Sequence, residues 1–207
     1  MTRFLYVGSS TQQGGGNRAE GIFIYRMDAS RGDLVKLHDV ESGPNPSFLA
    51  FHPAKRFLFC VNETIDGSAS SFAVDPISGN LSFINRVKVG GDFPCYVTVD
   101  PSGRFLFIVN YGSGSLSLIP VAEDGVLGDL VQLVRHEGSA TDPQRRLACY
   151  DNTLGVMGVV ILPGYEETLP VGGNPERQEM AHAHSIVLDP TLGFALAADL
   201  GMDRVWV

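Results

Sequence analysis

Three stretches of the chain share one pattern of apolar and polar positions. Residues 47–62, 95–110 and 185–199 each contain an apolar run, a turn with Pro after His or Asp, and a second apolar run ending in Asn or Asp. The apolar positions at 105–109 are consecutive and do not alternate, which is typical of a strand buried on both faces. Each stretch therefore predicts two adjacent strands joined by a proline turn, and their recurrence indicates an internal repeat.

Weaker strand patterns extend the first two stretches to units of four strands. The added patterns lie at residues 69–74 and 81–84 after the first stretch, and at 115–119 and 130–134 after the second. The equivalent turn residues Pro53 and Pro101 are 48 positions apart. Four-strand units that repeat every ~40–50 residues are typical of the blades of a β-propeller, in which each blade packs between two others.

We predict an all-β chain that covers about three and a half blades of a propeller. The predicted bounds are about 3–40 for blade 1, 45–90 for blade 2, 93–136 for blade 3 and 180–207 for the start of blade 4. Pro101 and Pro190 are 89 positions apart, and most of the excess falls in an insert at about 141–173 that carries no blade landmark. Two explanations stay open for it: an untranslated segment retained in the coding sequence, or a genuine surface insertion.

Charge and composition narrow the possible partners and locations. The chain has 15 Lys and Arg against 23 Asp and Glu, a net charge of −8, whereas proteins that bind nucleic acid or anionic membranes usually show the opposite balance. No apolar run approaches the ~20 residues that span a bilayer, and the first apolar run is too short for a signal peptide. Three cysteines without metal-binding spacing suit a reducing compartment. We therefore expect a cytoplasmic protein that binds neither nucleic acid nor membrane.

Several motifs outside the repeat pattern, and some within it, resemble one known family. They lie at residues 4–9, 45–49, 100–106, 109–112, 136–138, 174–178 and 182–185. In these motifs the chain is similar to the lactonase family of seven-bladed β-propellers, whose namesake activity is 6-phosphogluconolactonase, and to which fungal carboxy-cis,cis-muconate cyclases are similar. Seven blades need roughly 340 residues at this repeat length. The resemblance therefore implies a truncated member, which we expect to be inactive or prone to aggregate by itself.

His182 and His184 are the first candidates for catalytic residues. Residues i and i+2 of a strand share a face, and alignment with residues 96–99 assigns the segment that follows to an innermost strand, which lines the channel of a propeller. Two imidazoles there can act as general base and orienting donor, or as metal ligands. The alternative is a structural role, with one His satisfying backbone groups and the other buried. The resemblance implies that this segment belongs to the active site, and it leaves open which His is the base.

Four further candidates lie beside the predicted mouth of the channel. Arg177, the third catalytic candidate, and Gln178, a substrate-binding candidate, directly precede the His pair, and a guanidinium suits a carboxylate or phosphate. His136 and Glu137 end the outer strand of blade 3, from which they can fold back over the mouth to contact substrate. For Arg177 the alternative is an ordinary solvated loop residue.

The remaining substrate-binding candidates are Glu63, Asn110 and Tyr111. Each directly follows or ends the second strand of its blade, as Asp199 does in the last unit. Such strand ends meet at one rim, where Asn and Tyr can donate hydrogen bonds to a sugar. The alternative is that these side chains satisfy the backbone of the loops between blades.

The resemblance implies a lactone hydrolase with a small sugar lactone as its partner. The implied reaction converts 6-phosphoglucono-1,5-lactone to 6-phosphogluconate in the pentose phosphate pathway, and it requires no cofactor and no metal. Two alternatives stay open: a lactonising enzyme like the muconate cyclases, in which a His moves a proton without water, and a non-catalytic propeller that serves as a binding platform. The sequence indicates no oligomeric state.

Overall fold

A computed structural model describes residues 3–11, 21–138, 174, 176–191 and 193–207, together with the backbone of residues 148–150. Within these ranges the protein contains β-strands and no helix, which confirms the all-β prediction. No helix that is long and apolar enough to cross a membrane is found there.

The strands form four antiparallel sheets in which neighbours along the chain are neighbours in space. Sheet 1 contains β1 (Arg3–Val7), β2 (Ile22–Met27) and β3 (Leu34–Val40). Sheet 2 contains β4 (Leu49–Phe51), β5 (Phe57–Asn62), β6 (Ser68–Val74) and β7 (Leu81–Lys88). Sheet 3 contains β8 (Pro94–Val99), β9 (Phe105–Asn110), β10 (Ser115–Pro120), β11 (Gln132–Glu137) and β12 (Ala148–Tyr150). Sheet 4 contains β13 (Ala183–Leu188), β14 (Ala195–Asp199) and β15 (Arg204–Trp206).

The second strands of sheets 2 and 3 are buried on both faces. On β9, Leu106 and Ile108 join the apolar cluster between sheets 2 and 3. The alternate residues Phe107 and Val109 of the same strand join the cluster between sheets 3 and 4. This arrangement explains why residues 105–109 are apolar at consecutive positions, since each side of the strand packs against a different neighbouring sheet.

The Asp-Pro turn between β8 and β9 is closed by its own side chains. Asp100 accepts hydrogen bonds from the backbone N–H groups of Ser102 at 3.0 Å and Phe105 at 2.8 Å. Gly103 then takes a φ of 77°, and a Cβ at this position would lie 2.1 Å from Nε2 of His52 in the adjacent sheet. The turn therefore needs glycine both for its left-handed backbone and for the close packing of sheets 2 and 3.

The strand β12 belongs to the stretch that the sequence analysis assigned to an insert. It pairs antiparallel with β11, with Arg135 opposite Tyr150 and Glu137 opposite Ala148, and so adds a fifth strand to sheet 3. The rest of the predicted insert, residues 141–147 and 151–173, lies outside the described residues.

Asn85 on β7 fastens sheet 2 to the loop that precedes β11. Its side-chain amide donates to the carbonyl oxygen of Leu127 at 2.8 Å and accepts from the N–H of Leu127 at 3.0 Å. Leu127 is buried, so we expect Asn85→Ala to lower the free energy of unfolding by about 1–3 kcal/mol, the cost of leaving such groups unpaired. Urea denaturation measures the loss, and Asn80→Ala at an exposed turn is the matched control. Equal stability of the two variants would contradict this role.

Candidate functional site

In sheets 2, 3 and 4 the segment before the first strand is tied to the segment after the second strand by the same backbone hydrogen bond. The three bonds are Glu63 N–H to Asn45 O at 3.0 Å, Tyr111 N–H to Phe93 O at 2.9 Å, and Leu200 N–H to His182 O at 2.9 Å. The repeat thus brings the residues after β5, β9 and β14 beside the residues before β4, β8 and β13. Three predicted site residues take part in these bonds. Glu63 and Tyr111 are donors, and His182 is an acceptor.

Tyr111 lies between the two candidate histidines. Its ring stacks on the imidazole of His182, with centroids 4.4 Å apart and an interplanar angle of 13°. The ring of His184 meets the same tyrosine edge-on, at 5.7 Å and 89°. The structure therefore brings the two histidines together around one aromatic ring contributed by the neighbouring sheet.

His182 is buried, and both nitrogens of its ring are engaged. Nδ1 lies 3.0 Å from the carbonyl oxygen of Tyr111, and Nε2 lies 3.0 Å from Oε1 of Glu179. Hydrogen bonds from the Glu179 backbone N–H and from His182 hold the pKa of the Glu179 carboxyl below its usual range. A carbonyl oxygen and a carboxylate both accept hydrogen bonds, so both ring nitrogens of His182 face protein acceptors and neither is free for a ligand.

His184, in contrast, is exposed and opens into a cavity of about 570 Å³. A register shift between Ala183 and Ser185 interrupts the regular alternation of β13 at this residue. Arg177 and Arg204 line the same cavity. Within the described ranges the His184 ring has an aromatic contact and no hydrogen bond, so its nitrogens are available to a ligand or to water.

Gln178 fastens the loop that carries Arg177 to the end of β14. Its side chain accepts from the N–H of Asn174 at 2.7 Å and donates to the carbonyl oxygen of Leu200 at 2.9 Å. The glutamine is buried, whereas the adjacent Arg177 is exposed. The side chain of Gln178 therefore satisfies backbone groups and does not face the cavity as a substrate contact. The loop that it holds places Arg177 at the same cavity as His184.

His136 is buried between sheets 3 and 4 and does not reach the surface. Its Nδ1 lies 2.6 Å from Oδ2 of Asp199, and its ring lies 4.7 Å from that of Trp206. Burial raises the pKa of the Asp199 carboxyl, but hydrogen bonds from His136 and from the backbone N–H groups of His182 and Met202 outweigh it and hold the pKa below its usual range. Asp199 is therefore an ionised acceptor, and His136 donates to it from Nδ1.

Comparison with known proteins identifies the family. Residues 4–207 match the family described as lactonase, 7-bladed β-propeller. The chain belongs to this lactonase family. The four successive antiparallel sheets are the architecture that the family fold requires, and the prediction of a propeller chain is confirmed.

Individual relatives of the chain are named as sugar lactonases. The chain is 27% identical over 208 residues to a 6-phosphogluconolactonase of Bacillus subtilis, covering 100% of this chain and 49% of the relative. It is 32% identical over 138 residues to a 6-phosphogluconolactonase of Formosa agariphila, covering 65% of this chain and 38% of the relative. This lactonase chain spans about half the length of the curated relatives it matches.

Two solved structures resemble the lactonase chain over nearly all of its length. A putative 6-phosphogluconolactonase from Bacteroides fragilis superposes with a TM-score of 0.76 at 28% identity, covering 98% of this chain and 46% of that one. The periplasmic gluconolactonase of Pseudomonas aeruginosa superposes with a TM-score of 0.75 at 30% identity, covering 99% and 49%. Sheets 1 and 4, the first and last described sheets, carry exposed apolar residues, among them Leu5, Val7, Val187 and Val205.

The structure divides the predicted site residues into two groups. Residues beside the cavity or at the rim are His182, His184, Arg177, Tyr111 and the half-buried Glu63. Asn110 is fully buried and donates to Oγ of Ser115 at 3.0 Å and of Ser117 at 2.8 Å. Glu137 is exposed on β11, opposite the strand β12. We therefore omit Asn110, His136 and Gln178 from the substrate contacts that we propose below.

The sequence did not indicate a role at the candidate site for Glu179, for Arg204, or for Asp199 as the partner of His136. Asp199 carried a signal in the sequence, because the two preceding repeats have Asn at the equivalent position. Glu179 and Arg204 carried none, since a single charged residue in a polar segment is usually solvated. Among the described residues, no three His, Cys, Asp or Glu side chains are arranged to hold a metal ion.

Cys95 lies at the lactonase rim next to His184, and we expect it to be unreactive. Burial and the negative charge of Glu63 raise the pKa of its thiol to about 12. Alkylation by iodoacetamide at pH 8, followed by peptide mapping, should therefore be slow at this residue, because the thiolate is the nucleophile. Glu63→Gln should speed the reaction, because it removes the negative charge that helps to raise the pKa of the thiol. Cys60, which is fully buried, is the internal control. Alkylation of Cys95 at the rate of an exposed thiol would contradict the assignment.

Proposed function

We propose that this lactonase hydrolyses a sugar δ-lactone, with 6-phosphoglucono-1,5-lactone as substrate and 6-phosphogluconate as product. The activities after which the relatives are named support the reaction class. The observation that carries the proposal is the exposed imidazole of His184 at a cavity that Arg177 also lines. A base and a cation at one cavity are the two groups that the hydrolysis of a charged ester needs.

His184 acts as the general base in the proposed mechanism. Its neutral imidazole takes a proton from water, and the water oxygen attacks the lactone carbonyl carbon to form a tetrahedral oxyanion. The intermediate collapses with cleavage of the bond between that carbon and the ring oxygen, and the imidazolium returns its proton to the departing oxygen. A positioned base of this kind contributes a rate factor of about 10²–10⁴.

Arg177 supplies the positive charge in this mechanism. Its guanidinium can pair with the phosphate of the substrate through two parallel hydrogen bonds, or stabilise the oxyanion. The chain as a whole is acidic, with a net charge of −8, so attraction of an anionic substrate depends on local charge. Arg177 and Arg204 bring positive charge to the cavity, which Asp199 and Asp203 also line.

His182 and Tyr111 support the base and do not replace it. Both ring nitrogens of His182 already face protein acceptors, so neither is free to contact an attacking water. Its ring fixes one face of Tyr111, whose edge contacts His184. We therefore assign the base to His184 and a supporting role to His182.

We place the proposed reaction in the cytoplasm, where phosphorylated sugars are metabolised. The three cysteines of the chain have no pairing pattern, and the two described ones are free thiols, which suits a reducing compartment. The Pseudomonas aeruginosa relative is described as periplasmic and as a gluconolactonase, so the substrate test distinguishes the phosphorylated lactone from the unphosphorylated one.

The test compares hydrolysis of 6-phosphoglucono-1,5-lactone and glucono-1,5-lactone by the chain, after subtraction of the uncatalysed rate. Turnover of neither lactone would fit the expectation that a truncated chain is inactive, and it would overturn the proposal for this chain. Faster turnover of the phosphorylated lactone supports the proposal. Faster turnover of glucono-1,5-lactone overturns the assigned substrate. Binding of 6-phosphogluconate without turnover, seen as a shift of the His184 ring signals in NMR, would favour a binding platform. Ring closure of a muconate derivative without net hydrolysis would favour a lactonising enzyme.

A further inference from the structure

Asp199 ends β14 at the position that Asn62 and Asn110 occupy at the ends of β5 and β9. The register shows the equivalence, because Asn110 pairs with Pro94 at the start of β8 and Asp199 pairs with Ala183 at the start of β13, each followed by a register shift. All three side chains are buried. A buried amide is neutral, whereas a buried carboxylate needs a cationic partner or several hydrogen-bond donors. Sheet 4 therefore differs from the two sheets before it at this position.

The carboxylate of Asp199 accepts hydrogen bonds from three segments of the chain. Oδ2 accepts from Nδ1 of His136 on β11 at 2.6 Å. Oδ1 accepts from the backbone N–H of His182, just before β13, at 2.8 Å, and from that of Met202, between β14 and β15, at 3.0 Å. The side chain of Asp199 thus connects β11 of sheet 3 to the segment that carries both candidate histidines.

His136 is held rigidly from the side of sheet 3. Its backbone N–H donates to the carbonyl oxygen of Gly114 at 2.8 Å, and its ring packs against Trp206. The side chain is 1% exposed. Within the described ranges Nε2 of His136 has no hydrogen-bond partner, which fits a neutral ring that carries its proton on Nδ1 and donates it to Asp199.

We propose that Asp199 and His136 are a positioning pair that sets the place of residues 182–184 against Tyr111, across the boundary between sheets 3 and 4. Asp199 fixes the backbone of His182, and the His182 ring in turn donates to Tyr111 and stacks on it. Asp199 lines the cavity, but both of its carboxylate oxygens already accept hydrogen bonds from the protein. The catalytic importance of the pair rests on the proposed function, whereas the positioning itself does not.

The variant Asp199→Asn tests the pair, because it should change which ring nitrogen of His136 carries the proton. In Asp199→Asn an oxygen remains for the N–H groups of His182 and Met202, but an NH₂ group faces His136. Because that NH₂ group donates, we expect His136 to move its proton from Nδ1 to Nε2. Nitrogen-15 NMR of the histidine side chains in the full 207-residue chain distinguishes the two tautomers. An unchanged His136 tautomer would overturn the pairing.

The alanine variant tests whether the pair positions His182. Asp199→Ala removes the acceptor of the His182 backbone N–H, and we expect the ring signals of both His182 and Tyr111 to shift. Ser71→Ala is the matched control, because it removes a buried hydrogen bond from β6 to Gly125 O without touching the pair or Tyr111. Equal shifts in the two variants would show a general loss of packing and overturn the positioning role.

The NMR readout is independent of turnover. A chain that shows the expected shifts but hydrolyses no lactone would contradict the proposed function and leave the positioning pair intact. A chain that hydrolyses lactone while the His136 tautomer and the His182 signals stay unchanged in both Asp199 variants would contradict the pair alone.

Discussion

Replacing His184 by alanine should lower kcat for lactone hydrolysis by about 10²–10⁴-fold, the usual contribution of a positioned general base. His184 is the candidate imidazole that is exposed at the cavity and, within the described residues, makes no hydrogen bond through its ring. Steady-state kinetics with 6-phosphoglucono-1,5-lactone measure the change. KM should change less than kcat, because the base interacts with the attacking water more than with the bound lactone.

The control for this experiment is His38→Ala, which removes an exposed imidazole from β3, far along the chain from the cavity. We expect it to leave kcat unchanged. A His182→Ala variant that loses more activity than His184→Ala would transfer the role of base to His182. Unchanged activity in the double variant His182→Ala, His184→Ala would contradict the site assignment as a whole.

Replacing Phe59 by alanine should lower the free energy of unfolding by about 3–5 kcal/mol, as is usual for a fully buried phenylalanine. Phe59 is 0% exposed on β5 and belongs to the apolar cluster between sheets 2 and 3, beside Val97 and Ile108. The cluster is the largest apolar contact between two described sheets, and the cavity left by the ring cannot close without moving one sheet toward the other.

Phe83→Ala is the matched control, because the same substitution at a side chain that is 53% exposed removes little buried surface. We expect it to cost less than about 1 kcal/mol, in the range of surface substitutions. Urea denaturation with an unchanged m-value measures both losses. Similar losses in the two variants would show that Phe59 does not hold the sheets together.

Much of the fold was predictable from local patterns. Consecutive apolar residues at 105–109 predicted a strand between two layers, and β9 packs against sheets 2 and 4. The Asp100-Pro101 turn was predictable because its hydrogen bonds are made within five residues. The strand β12 was not predictable in the same way, since its three residues acquire strand geometry by pairing with β11.

The candidate site was predictable only in part. The sequence predicted His182, His184 and Arg177 as site residues because they are close along the chain and suited to acid–base and anion chemistry. Spacing by two residues in a strand predicted that both histidines face the same way. The structure instead buries His182 and exposes His184, because the register shift after Ala183 changes how the backbone enters β13.

The sequence could not predict the roles of residues whose partners are distant along the chain. His136 was a candidate for substrate binding, but its partner Asp199 lies 63 positions later and is met only when sheet 4 packs on sheet 3. Asn110 was a candidate for the same reason as Tyr111, its neighbour. The two differ because Asn110 turns inward to Ser115 and Ser117 while Tyr111 faces the histidines.

The sequence by itself determined that this chain is a run of four-strand repeats of the lactonase type, because strand, turn and face are set by contacts between near neighbours. Tertiary structure alone decided which imidazole is available for chemistry, and that a buried carboxylate ties the histidine segment to the sheet before it. Those outcomes depend on the packing of one sheet against the next, which places side chains from distant positions within hydrogen-bond distance and desolvates them.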